Sequence, residues 1–148
     1  MSKKVNIGVA LIGALGLCLF VGTAGEKAGA QVAKGKTRPA ATRFLMKGIT
    51  QPNCRGIGEL LKESGPADDK GWETLACHAS CLNELSFSLM QDGRCPDAVW
   101  AGAAKSLGEG SGAVIAAADK KDVDGAKAAF KTVTDACKSC HDAHKKPK

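Results

Sequence analysis

The sequence predicts an all-α fold, an antiparallel up-down-up-down four-helix bundle, and three observations lead there. Apolar residues recur at three- and four-residue spacing through four long stretches, the mark of helices that bury one face. No stretch alternates apolar and polar residues as a half-buried strand does. Clusters of Gly, Pro and Asp separate the stretches, and connections of about five residues force neighbouring helices antiparallel.

At the N-terminus, Lys3 and Lys4 precede the apolar run Ile7 to Val21, which small residues follow, so residues 1–30 read as a secretory signal peptide. Cleavage fits after Ala24 and, with a better A-x-A pattern, after Ala30. The run is about fifteen residues, short of the roughly 20 that span a bilayer. Cys18 lies inside it and is lost with it. The chain is therefore expected to be exported, into a periplasm or its equivalent.

Residues 31–39 are basic, contain Gly and Pro and show no periodicity, so they read as a flexible leader. Residues 40–148 are enough for one modest domain. The first helix is predicted over about 40 to 63, where Ser64-Gly65-Pro66 stops it. The second covers about 69 to 91, with Asp68 or Asp69 as cap, a seam of Trp72, Leu75, Ala79, Leu82 and Leu89, and Asp92-Gly93 at its end. The third covers about 96 to 118 with Pro96 in its first turn and a seam of Trp100, Ala103, Leu107, Gly110 and Val114. Lys120 to Asp122 makes the last corner. The fourth helix, about 122 to 145, carries Ala126, Ala129, Phe130, Val133, Ala136, Cys137, Cys140 and His141 on one face.

That last seam holds the chemistry. The run Cys137-Lys138-Ser139-Cys140-His141 is the attachment signature of a c-type haem. Two thiols about one helical turn apart can add across the two vinyl groups of a haem, and the adjacent histidine reaches the iron as proximal ligand. The expected cofactor is one covalently bound haem c per chain, whose apolar volume fills space that Ala- and Gly-rich seams leave open. A thioredoxin-like motif would need a preceding strand and a βαβ context, and neither is visible. Zinc could instead take Cys137 and Cys140 together with Cys77, His78 or Cys81, making a zinc-stabilised interaction module; the export signal favours haem.

Either signal cleavage leaves Lys+Arg exceeding Asp+Glu by four. The densest lysines, Lys138, Lys145, Lys146 and Lys148, form a solvated end that also suits an acidic redox partner. Aromatic residues interleaved with basic ones are missing, which argues against nucleic acid as a partner. Nor is there a catalytic constellation. Asp and Glu sit at caps and exposed faces, no Ser-His-Asp arrangement suggests itself, and Gly108 to Gly112 lacks a phosphate-loop pattern, so an enzyme is not expected.

Three features, Ala136-Cys137-Lys138-Ser139-Cys140-His141, Lys145 one turn on and Arg43-Phe44-Leu45-Met46-Lys47 in the first helix, make the chain resemble the cytochrome c′ family over about residues 38 to 145. This is the class II group of c-type cytochromes that includes cytochrome c556. The resemblance implies a periplasmic electron carrier serving redox partner proteins or, with the sixth iron position open, a haem protein that binds nitric oxide or carbon monoxide. It also implies a homo- or heterodimer paired through the first two helices. Met46 resembles the methionine that fills the sixth position in the c556 type.

The cysteines depart from that family. Cys54 follows Pro52, whose ring disrupts a helix and can turn the thiol inward, and Cys95 stands at the corner expected near the haem. Cys54, Cys95, Met46 and no protein ligand at all remain open for the sixth position. A thiolate there would lower the redox potential and block weak gas ligands. Alternatively Cys54, Cys77, Cys81 and Cys95 form disulfides, with three pairings open. Cys77 and Cys81 share one helical face, where a bridge is awkward. Arg43 and Arg94 are candidate partners of haem propionates. His78 reads as a partly buried polar group, His144 as solvent-facing in a fraying end, and Trp72 and Trp100 as core.

Overall fold

A computed structural model of the chain describes residues 34–145; the expected signal peptide lies outside the described residues. Four helices in antiparallel sequence account for nearly all of them, and an isolated bridge between Lys34 and Ala41 is the one extended pairing described. The first helix, α1, runs in three segments: Thr42–Leu45, a π-helical turn Met46–Thr50, and Gln51–Leu60. Three regular helices follow: α2 Asp69–Met90, α3 Ala98–Asp119 and α4 Val123–His144. No helix among the described residues is long and apolar enough to cross a membrane.

Each regular helix starts on an aspartate whose carboxylate accepts the backbone N–H three residues on. Asp68 takes that of Gly71 at 2.8 Å, Asp97 that of Trp100 at 2.9 Å and Asp122 that of Gly125 at 2.9 Å. Capping by Asp97 corrects the expected start of α3: Pro96 precedes the cap instead of opening the first turn. At the corners, Gly65 (φ 85°) and Gly93 (φ 73°) occupy left-handed conformations that cost glycine little.

Pro52 explains the unusual first helix. A regular α-helix would press its ring on the carbonyl of Gly48 and ask it for an N–H it lacks. The backbone instead widens just before it, and the Gln51 N–H donates to the Met46 carbonyl five residues back.

Ile57, Leu75, Leu82, Val114 and Val133 are fully buried at the centre, each contributing roughly 1.5–3 kcal/mol of hydrophobic stabilisation. Trp100 joins α3 to α2 by donating its indole N–H to the Leu89 carbonyl at 2.9 Å. The α3–α4 contact is close at Gly110, where a Cβ would lie 3.0 Å from Val133 Cγ2 and 3.1 Å from its backbone nitrogen. Residues 34–39, within the expected flexible leader, are tied to the α2–α3 corner. The Asp92 carboxylate accepts the Thr37 N–H at 2.8 Å and the Arg38 N–H at 2.9 Å, and the Lys36 N–H donates to the Asp92 carbonyl.

Candidate haem site

At one end of the bundle α1 and α4 part to form a cleft of about 740 Å3. Its α4 wall carries Cys137, Cys140 and His141. Thr42, Met46, Thr50 and Cys54 form a row at four-residue intervals on the α1 wall. Trp100 closes the floor, which Leu89, Ala103, Ala104, Leu107 and Ala136 extend toward the core. The small alanines leave room that larger side chains would fill.

Electrostatics favour an anionic, largely apolar guest. Arg43, Lys47 and Lys145 line the cleft, and no Asp or Glu does. Arg43 lies 4.8 Å over the ring of exposed Phe44. Arg94, the other candidate for the propionates, is buried elsewhere: its guanidinium donates to the Arg38 carbonyl at 3.2 Å and to Thr42 Oγ1 at 3.5 Å, so it does not line the cleft.

The three thiols in the cleft differ. A hydrogen bond from the Cys54 thiol holds Cys137 below the usual thiol range, against an opposing effect of burial. The same bond, reinforced by burial, pushes Cys54 well above it. Burial pushes Cys140 up to about 11, with the charges of Cys137 and Asp97 adding to the effect. His141 is lowered by burial and by the positive charge of Lys145, which keeps its imidazole neutral and its lone pair available near pH 7.

Among the candidate occupants of the sixth position, Met46 and Cys54 line the cleft and Cys95 does not. The Met46 sulfur accepts the Thr50 hydroxyl at 3.4 Å. Cys95 sits at the α2–α3 corner, its thiol 3.5 Å from the Asp97 carbonyl. Cys77 and Cys81 are exposed on α2, and all six described cysteines are free thiols. Among the described residues no group of three or more His, Cys, Asp and Glu side chains could hold a metal ion, which counts against the zinc-stabilised module. His78 packs over Gly56, and its Nδ1 hydrogen-bonds Asn53 Oδ1 at 2.8 Å, so it serves the α1–α2 contact.

His144 corrects an expectation. Instead of facing solvent it is 4% exposed, edge-on to Trp100 at 5.4 Å between ring centroids, with Nε2 3.3 Å from the Asp97 carboxylate. The signal was present in the sequence: the seam Val133, Cys137, Cys140 extends to His144 by one further step of four. Asp97 is lowered by the Trp100 N–H it accepts, opposed by partial burial and helped by His144. The end of α4 is thus fastened to the start of α3 beside the cleft, and Trp100 belongs to both core and site.

Two thiols one turn apart, a neutral imidazole, an apolar floor and a cationic rim fit a covalently held haem with its two carboxylates. A sequence model of the family described as Cytochrome C′ matches residues 45–145, which takes in most of α1 and all of α2, α3 and α4. No curated protein and no solved structure matches the chain.

Proposed function

The chain belongs to the cytochrome c′ family, and from that premise we propose that it is an exported monohaem c-type cytochrome working as a one-electron carrier. Membership makes it a c-type cytochrome and implies covalently bound haem c. The observation that carries the finer reading is the placing of Cys137, Cys140 and His141 on one wall of a carboxylate-free cleft. Bound there, haem supplies an iron that exchanges one electron between its ferric and ferrous states.

Cys137 and Cys140 provide the thioether links, and His141 the proximal nitrogen, already neutral and so ready to coordinate. Arg43, with Lys47 and Lys145 nearby, supplies charge for the propionates. Trp100 and the alanines of α3 exclude water from the inner side, which favours outer-sphere electron transfer over chemistry at the metal. The α1 wall offers two sulfur donors, and with haem bound Cys54 or Met46 would supply a further ligand to its iron beside His141. Cations around the cleft and at the C-terminus suit an acidic redox partner.

Intact mass and absorption of the exported protein test this reading. The expected result is a mass increased by one haem, a Soret band, and reversible one-electron reduction by voltammetry. A colourless protein of unmodified mass, made in a host that attaches haem to other cytochromes, would overturn it.

A further inference from the structure

A second groove, of about 630 Å3, opens between α1 and α2 and shares no lining residue with the haem cleft. That volume lies within the roughly 300–1,000 Å3 of small-molecule sites. Arg94 and Arg38 line it together, and the Arg94 guanidinium donates to the Arg38 carbonyl at 3.2 Å and to Thr42 Oγ1 at 3.5 Å. Arginine is almost never fully buried without a paired charge, because neutral acceptors return little of the cost of leaving water. Yet Arg94 is 2% exposed, and among the described residues no carboxylate forms an ion pair with it. Asp92 is held below its ordinary range chiefly by the Thr37 N–H it accepts and in smaller part by the charge of Arg94, but its oxygens are taken by the leader. A guanidinium has five N–H donors, so two bonds to neutral oxygens leave it able to hold a further acceptor. The rest of the groove is mainly apolar: Leu45 and Ile49 of α1 face Leu85 of α2, where Glu84 adds one carboxylate. On the α1 wall Gly48 leaves space, since a Cβ built there meets nothing within 4 Å.

We propose that this groove binds a small amphipathic carboxylate, its head on Arg94 and Arg38 and its apolar body against Leu45, Ile49 and Leu85. The buried guanidinium selects the head, because its planar fork matches a carboxylate in a bidentate pair. Glu84 sets the charge: two guanidiniums against one carboxylate leave room for a single negative charge, and a dianion would be repelled. The apolar walls select the body, since an inorganic anion would leave them in contact with water. The inference stands apart from the haem reading, because none of these residues lines the haem cleft.

Titration calorimetry of the full exported chain, haem-loaded, with octanoate as probe tests the site. One octanoate should bind per chain, at least about tenfold more tightly than octanol, which lacks the head, or inorganic phosphate, which lacks the body. Arg38→Gln should weaken binding roughly tenfold, and Gly48→Leu should fill the groove and abolish it, with circular dichroism confirming helicity in both. Bound octanoate should also slow maleimide alkylation of Cys81, which lines the groove, and leave Cys77, exposed outside it, unchanged. Equal binding by the native chain and Gly48→Leu, or octanol or phosphate bound as tightly as octanoate, would overturn the proposal. So would a native chain that takes up no octanoate, whether or not sedimentation shows a second copy covering α1 and α2. A colourless chain of unmodified mass that binds one octanoate, lost in Gly48→Leu, would support the groove and overturn only the haem reading.

Discussion

The two walls of the cleft are built by opposite means. On α4 a regular helix carries an uninterrupted seam from Ala126 to His144, and everything on that wall follows from three- and four-residue spacing. On α1 the spacing is broken by a π-helical turn before Pro52, and the inward row Thr42, Met46, Thr50, Cys54 exists because the backbone widened. One wall is fixed by packing against α3; the other touches α4 at only a few points around Cys54 and Gly58. A site that needs one invariant ligand set and one adjustable face is well served by that division.

The sharpest way to break the comparison is on the regular wall. Cys137→Ala with Cys140→Ala should abolish covalent haem altogether, read by intact mass, whereas Met46→Ala or Cys54→Ala should leave the mass gain intact and change only the spectrum. Next, Trp100→Ala should cost about 3–5 kcal/mol in denaturant unfolding, since it removes a buried ring shared by core and cleft. At smaller scale, Gly110→Ala should destabilise by about 1–3 kcal/mol because Val133 backbone stands in the way, while Gly48→Ala, on the opposite wall with open space around it, should not destabilise through overpacking.

Pro52→Ala sharpens the comparison. It removes the ring that keeps the π turn open; closing that turn to α-helix would rotate the remainder of α1 by about 100° and take Ile57 out of the core, so denaturant unfolding should show a loss of roughly 1.5–3 kcal/mol. The smallest effect is set by pH. Asp97 has a folded-state pKa below its ordinary 3.8, so its contribution is fully present above that value and is lost as pH falls through the lower folded value. Asp97→Asn should therefore lower the melting temperature at pH 7 and have a smaller effect at pH 2.

Legibility divides along the same line. The helices, the aspartate cap of α2 and the attachment motif on a core-facing seam could be read because each depends on local spacing and local hydrogen bonds. Sequence reasoning recognised that Pro52 disturbs α1, but not that the disturbance would take the form of a wider turn, since that depends on where the displaced carbonyls find donors. Burial of His144 was legible from the seam alone and was obscured by its position near a chain end. The separation of Cys95 from the cleft was not legible, because it depends on how the α2–α3 corner folds back onto Asp97. Nor was the leader's attachment: nothing local to residues 34–39 announces that the Asp92 carboxylate will accept their amides.

In the proposed arrangement Cys137, Cys140 and His141 of α4 would hold the haem, and Met46 or Cys54 of α1 would add a sulfur ligand to its iron. The absorption spectrum of the ferrous protein, recorded before and after saturation with carbon monoxide, tests it most directly. The native protein should show a Soret band that carbon monoxide leaves in place, and the band should begin to shift in either Met46→Ala or Cys54→Ala, whichever removes the ligating sulfur. A native protein whose Soret band moves at once under carbon monoxide would contradict it.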